Sequence, residues 1–198
     1  MNKVIALILA YLIGAIPFAL VVGKGLKHVD VREHGSGNLG TTNTMRVLGF
    51  RMGVLVLIGD LGKGYLSAYL GYLLGGMTWG MVAGIVAVLG HVYPVYAHFK
   101  GGKGIATGGG AFLFIMPWVF LIGITVFGIV LLSSRYVSLA SLSAALTVGV
   151  TATVMGYKGF ILFITWIVVA FVYYTHRANM GRLIRREEAR VNFGKKSH

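Results

Sequence analysis

Residues 98–110 read "HFKGGKGIATGGG". Six of these thirteen residues are glycine and two, Lys100 and Lys103, are lysine, yet apolar segments lie at 77–97 and 109–132. A bare, cationic loop between greasy segments places the polar chemistry of this chain at the ends of membrane helices.

The apolar segments set the class. Of 198 residues, 57% are hydrophobic and 12% charged, with a mean hydropathy of +0.81. Soluble domains carry about 45–50% apolar and about 25% charged residues. A helix needs about 20 apolar residues to cross roughly 30 Å of hydrocarbon. Segments of that kind occupy 4–23, 52–75, 77–97, 109–132, 136–155 and 159–175. The composition therefore predicts an all-α, polytopic membrane helix bundle, a single domain over 1–198. The first segment follows Lys3 and runs apolar from Val4 to Val22. Signal peptides have a shorter apolar core and a small-residue cleavage site, which "AIPFAL" matches poorly, so it is read as a membrane helix.

The formal net charge is +13. In a soluble chain that would suggest nucleic acid, but here the lysines and arginines concentrate in 24–51, 98–108 and 176–198. Such clusters mark cytoplasmic loops, and no nucleic-acid partner is expected. If all three face the cytoplasm, an even number of crossings must separate any two. Two segments lie between the first and second clusters, but three between the second and third. One must split or fail to cross. Residues 109–132 are the candidate, because Pro117 and Gly123 can break them. About seven transmembrane helices follow, with the N-terminus outside and the C-terminus cytoplasmic; merging or re-entry would give five. Gly71, Gly75, Gly76, Gly80 and Gly84 form the small-residue spacing that lets membrane helices pack backbone to backbone.

There are no cysteines, which excludes disulfides, thiolate nucleophiles and Cys-ligated metals. No His and carboxylate cluster has ligand spacing, so neither a metal nor a cofactor is expected.

The interruptions carry the chemistry. The stretch 34–46, "HGSGNLGTTNTMR", holds glycines, hydroxyls, two asparagines and Arg46, with no acid. Hydroxyls, amides and exposed backbone N–H groups wrap an oxyanion, and a guanidinium offers a planar fork to phosphate. Ser36, Asn38, Thr41, Asn43 and Arg46 are candidate ligands. The 98–110 loop resembles a phosphate loop without the residues of a Walker A motif or a preceding strand. Gly101, Gly102 and Gly104 would let a phosphate approach, Lys103 would supply charge, and Thr107 lies where a following helix would start. In "THRANMGRLIRREEAR", 175–190, His176 and Asn179 stand at i, i+3. A basic amphipathic tail lying on anionic lipid is the competing reading there. Inside the membrane, Asp60 and Lys63 suit a mutual ion pair, and Lys63 is also a candidate for the polar cavity of Lys103.

"GSGNLGTTNTMR", "LGKG", "GHVYPVYAHFKGGKGIAT" and "HRANMGRL" together resemble the bacterial acyl-phosphate:glycerol-3-phosphate acyltransferases, the PlsY family. The resemblance covers nearly the whole chain. Thr41 stands where the family usually has alanine. Arg186 stands where it usually has a glycine two residues before the glutamate, here Glu188. The resemblance implies an enzyme of the bacterial inner membrane, multi-pass, with its active site facing the cytoplasm. It implies transfer of a fatty acyl group from acyl phosphate to the sn-1 hydroxyl of glycerol 3-phosphate, giving lysophosphatidic acid and phosphate. Partners would be glycerol 3-phosphate, acyl phosphate and membrane lipid.

No histidine here has an aspartate in the H-x-x-x-x-D spacing that other glycerol-phosphate acyltransferases use. Direct, substrate-assisted attack without an acyl-enzyme is therefore expected. Ser36, Lys103, His176 and Asn179 are the catalytic candidates, with His176 as the rival base. An anion transporter or channel is the alternative, since broken helices and midplane charges also describe carriers.

Overall fold

The computed structural model describes residues 3–191. Among them it is all-helical, with no strand, and the helices group into two compact units, Met1–Ile115 and Met116–His198. Lys195 and Lys196, part of the third basic cluster, lie outside the described residues.

In the first unit, the apolar 4–23 segment is two helices, α1 (Lys3–Gly14) and α2 (Phe18–Lys27), bent by 44°. Pro17 lacks an N–H and disfavours helix at Ile16, so the chain breaks there. One face of α1 is small, with Ala6, Ala10 and Gly14 buried. Backbone contact results: a side chain at Gly14 would overlap Ala87, and one at Gly90 would overlap the Tyr11 carbonyl.

A short 3-10 turn at Val31–Glu33 leads through the 34–40 loop to α3 (Thr41–Leu48), and Gly49 turns the chain into α4 (Phe50–Val92). Straight, the 43 residues of α4 would span roughly 65 Å at 1.5 Å per residue. They do not, because Gly75 and Gly76 leave helical geometry, Gly76 at φ 73°. Two arms fold back on each other. A side chain at Gly71 would overlap the Trp79 carbonyl, and Asp60 and His91 come within 3.4 Å. Of the glycines read as packing residues, Gly71, Gly75, Gly80 and Gly84 do pack, Gly76 meets no neighbour, and Gly75 and Gly76 make the reversal. A 3-10 turn (Val95–Ala97) and the glycine loop then lead to α5 (Ile105–Ile115). This helix lies against the first arm of α4 so closely that side chains at Gly64 and Gly110 would overlap the Thr107 and Leu61 carbonyls.

The second unit holds α6 (Pro117–Ser134), α7 (Val137–Val154), α8 (Gly159–Thr175) and α9 (Arg177–Ile184). The split expected in 109–132 occurs at Met116, just before Pro117 at the first position of α6. Gly123 makes no break; it is buried within α6 beside Val148. Packing runs α6 on α7 and α7 on α8, while α9 turns away from α8 by 58°.

Among the described residues, three helices are long and apolar enough to cross a membrane, or up to five if each bent pair, α1–α2 and α8–α9, is one span. At 11 residues, α5 is about 16 Å long, short of the hydrocarbon thickness.

Candidate active site

In the first unit, Gly35 (φ 63°) and Gly37 (φ 68°) flank Ser36 in the left-handed region that glycine favours. The loop is held from beneath by Asn43, which is 2% exposed. Its Oδ1 accepts the Ser36 N–H at 2.8 Å, and its Nδ2 donates to the Val31 carbonyl at 2.9 Å and the His34 carbonyl at 3.2 Å. Asn43 thus serves the loop itself and holds Ser36 at the surface. Arg46, exposed in the last turn of α3, runs its stem past Gly35. The Thr41 hydroxyl, at the start of α3, is buried without a hydrogen-bond partner.

Upstream, the Asp30 carboxylate caps the 3-10 turn and takes the Arg32 guanidinium at 2.6 Å and Lys24 at 3.0 Å. The Arg32 hydrogen bond holds its carboxyl well below the usual carboxylate range.

The glycine loop is anchored on the end of α4. Gly101 donates its N–H to the Val92 carbonyl and Gly102 to the His91 carbonyl, both at 3.1 Å. Gly104, at φ 84°, immediately precedes α5, whose first closing bond is Gly108 N–H to the Gly104 carbonyl at 2.7 Å. The N–H groups of Ile105, Ala106 and Thr107 precede that bond and have no acceptor within the helix. The Thr107 hydroxyl is fully buried and lacks a hydrogen-bond partner. Lys103 immediately precedes this positive helix end. Backbone donors, a dipole and an ammonium in one turn suit an oxyanion.

The two loops meet. The Asn38 amide donates to the Gly101 carbonyl at 3.3 Å, so Ser36, Asn38, Asn43, Gly101 and Gly102 form one assembly.

Lys63 is buried in the same unit. Its Nζ lies 2.7 Å from Asp60 Oδ1 and donates to the Ile16 carbonyl at 2.9 Å, with the residue 4% exposed. That is the structural pair read from the i, i+3 spacing, with the open carbonyl of the α1–α2 break as a third member.

In the second unit, His176 ends α8 and Asn179 lies one turn later in α9; both are buried. His176 Nδ1 approaches the Val172 carbonyl at 2.9 Å. A carbonyl can only accept, so Nδ1 carries the proton and the neutral ring has Nε2 as its basic nitrogen. Asn179 Nδ2 donates to Glu188 Oε1 at 2.5 Å, and Arg182 Nε donates to Glu188 Oε2 at 2.6 Å. Burial raises the Glu188 carboxyl, but Asn179, Ser138 and Arg182 together outweigh it and hold the group below the usual range. Glu188, whose role the sequence leaves open, therefore orients Asn179. Its segment is tied down in turn: Val191 N–H donates to the Arg135 carbonyl at 2.8 Å and Arg190 Nε to the Tyr136 hydroxyl at 3.0 Å.

Sequence reasoning gave His91 no role. It is buried at the end of α4, against Asp60 and directly beneath Gly102. Its position in "GHVYP" was visible, but its partner, in the other arm of α4, was not.

Such a chain is a helical membrane protein whose polar loops and helix ends suit phosphate-bearing ligands. The comparisons narrow the class: the Glycerol-3-phosphate acyltransferase family model matches residues 4–186, and the chain belongs to that family. It is 49% identical over 193 residues to the glycerol-3-phosphate acyltransferase of Geobacillus kaustophilus (strain HTA426), covering 96% of this chain and 98% of that one. Against the Bacillus subtilis (strain 168) enzyme of the same name it is 43% identical over 187 residues, covering 94% and 96%. Its fold is similar to the crystal structure of PlsY (YgiH), an integral membrane glycerol 3-phosphate acyltransferase, in its glycerol 3-phosphate form. The TM-score is 0.92 at 40% identity, covering 97% of this chain and 96% of that chain. The lysophosphatidic acid form of PlsY matches with a TM-score of 0.91 at 39% identity.

Proposed function

We propose that this protein transfers a fatty acyl group from an acyl phosphate to the sn-1 hydroxyl of glycerol 3-phosphate, releasing lysophosphatidic acid and phosphate. The observation that carries most weight is a near-complete match, TM-score 0.92, to a PlsY that has a glycerol 3-phosphate form. The local geometry supports it. Both substrates carry phosphate, and the first unit offers the Ser36 loop, Arg46, Lys103 and the start of α5 as one bank of anion donors.

The reaction needs no covalent intermediate, because an acyl phosphate is already activated. The acceptor hydroxyl oxygen attacks the acyl carbon, the bond from that carbon to the phosphate oxygen breaks, and the electron pair leaves with phosphate. The hydroxyl proton passes to an oxygen of that phosphate. Backbone N–H groups and Lys103 stabilise the charge that develops on the carbonyl oxygen and the leaving group. Arg46 and Ser36 hold the acceptor, and alignment of the two reactants supplies much of the rate. In the second unit, Asn179, held by Glu188, and His176 are the catalytic candidates. Asn38, Thr41, Gly101, Gly102, Gly104 and Thr107 shape the pocket, while Asn43 and Lys63 support it from behind.

This reading has the chain crossing the bacterial inner membrane about seven times, N-terminus outside and C-terminus cytoplasmic, with its site at the cytoplasmic rim. The whole of 1–198 acts as a single acyltransferase domain. Detergent-purified protein mixed with acyl phosphate and glycerol 3-phosphate tests it directly. Phosphate release with stoichiometric lysophosphatidic acid supports the enzyme; anion flux into liposomes without turnover supports a transporter or channel and overturns it. For the base, complete loss of turnover in His176→Ala with substrate binding intact would overturn substrate assistance in favour of His176.

A further inference from the structure

Three ionisable side chains are buried together under the glycine loop and take no part in the chemistry above. Asp60 is 1% exposed, Lys63 4% and His91 6%. Lys63 Nζ and His91 Nδ1 approach the same carboxylate oxygen, Asp60 Oδ1, at 2.7 and 3.4 Å. Charges within a membrane helix are costly, and their retention marks a function. Helix pairing alone does not need them: Gly14, Gly64, Gly71, Gly90 and Gly110 already bring α1, α5 and the two arms of α4 into backbone contact.

The cluster lies where four pieces of chain converge. Asp60 and Lys63 belong to the first arm of α4, and His91 ends the second. Lys63 Nζ holds the Ile16 carbonyl at the α1–α2 break. The fourth piece is the loop. The His91 carbonyl accepts the Gly102 N–H at 3.1 Å, and a side chain at Gly102 would overlap the His91 ring at Nε2. The imidazole is thus the floor on which Gly102 rests, one residue before Lys103.

We infer that the Asp60–Lys63–His91 cluster is a positioning device for the glycine loop: Asp60 holds the His91 ring, and the ring with its carbonyl sets the height of Gly102 and hence of Lys103. None of the three touches substrate. The inference rests on the reading of 101–104 as a phosphate-holding loop. A displacement of about 1 Å at such a loop is enough to cost on the order of 100-fold in rate.

Two substitutions separate the parts of the device. His91→Phe keeps a ring beneath Gly102 but removes the nitrogen that faces Asp60. His91→Asn keeps a donor near the Nδ1 position and removes the outer ring. The double variant D60N/K63M removes both charges together, so neither is left buried alone. Amide exchange of residues 98–106 in the purified enzyme, thermal midpoints, and KM for both substrates are the readouts, with Lys103→Gln as reference. Exchange at Gly101 and Gly102 is expected to rise on the order of 10-fold in His91→Phe, in the double variant and in His91→Asn, which removes the ring atoms beneath Gly102. KM is expected to rise on the order of 10-fold for whichever phosphorylated substrate also weakens in Lys103→Gln. Lower thermal midpoints with unchanged exchange and unchanged KM would make the cluster a mere brace and overturn the inference. If Lys103→Gln alters neither KM, the phosphate-loop reading fails; the exchange result then decides loop placement by itself, in favour if faster and against if unchanged.

Discussion

The Asn38 amide donates to the Gly101 carbonyl at 3.3 Å, joining two loops separated by 63 residues. One side chain therefore couples the Ser36 loop, braced from below by Asn43, to the Lys103 loop, braced by the end of α4. A neutral hydrogen bond contributes about 1 kcal/mol, so Asn38→Ala should lower kcat/KM roughly 5-fold through misalignment. Asn38→Asp should cost more, because a carboxylate would face the Gly101 carbonyl and the phosphates together. Wild-type kcat/KM in both variants would show that the loops keep their places without this bond.

Arg46 is exposed in the last turn of α3, its stem packed past Gly35. A guanidinium binds phosphate through two parallel N–H bonds, whereas an ammonium is a point charge. Arg46→Lys should raise the KM for glycerol 3-phosphate on the order of 10-fold with a smaller change in kcat, the loss of one charge-assisted bond. Steady-state kinetics with saturating acyl phosphate measures it. An unaltered acceptor KM would remove Arg46 from the site.

These residues also show how far the sequence could be read. Membrane class, all-helical fold, the polar loops and the Asp60–Lys63 pair were legible, because each depends on composition or on spacing within one helix. The pairings that build the site were not. Asp60 meets His91 only because α4 reverses at Gly75 and Gly76, and a GG step in an apolar run signals close packing as readily as a turn. The break in 109–132 was anticipated at Pro117 or Gly123. Proline disrupts a helix wherever it falls after the first turn, whereas Gly123 is tolerated and used for contact with Val148. Asn43 looked like a ligand because an asparagine among glycines and threonines is a donor by type. Its burial and its three loop bonds, which the sequence does not display, show that it also braces the loop.

Glu188 governs how Asn179 responds to acid. Its carboxyl lies below the ordinary range because Asn179, Ser138 and Arg182 together outweigh burial. A carboxylate with a depressed folded pKa stabilises fully above its unfolded value, about 4.3, and that contribution is lost as pH falls through the lower folded value. Between pH 5 and 8 Glu188 should then add no slope to either stability or rate. Glu188→Gln should turn an N–H group toward Asn179 or Arg182, with kcat/KM falling on the order of 10-fold or more, consistent with loss of bonds to a charged group. The variant's stability deficit should be constant across neutral pH and shrink only in strong acid. A deficit that grows as pH falls from 7 to 5 would mean that the folded carboxyl titrates above, not below, the ordinary range. The Asn179 and Arg182 bonds would then not be holding it ionised.

Arg186 bears on the same segment from the backbone side. It has φ 60°, in the left-handed region where a side chain costs about 1–2 kcal/mol relative to glycine. It occupies the position, two before the glutamate, at which the family pattern usually has glycine. The chain accepts that conformation because the residues beyond must return: Glu188 to Asn179 and Arg182, and Val191 to the Arg135 carbonyl. Arg186→Gly should therefore relieve the turn. Part of the gain is offset by the extra freedom glycine gives the unfolded chain, leaving a net stabilisation of about 0.5–1 kcal/mol. Because the Glu188 bonds are unchanged, kcat and both KM values should stay within about twofold, since surface changes away from a site are nearly neutral. A thermal midpoint above wild type, with kinetics preserved, is the expected result in detergent. A lower midpoint would mean that the Arg186 side chain contributes more than its backbone costs, and that left-handed geometry is not the strained element of this tail.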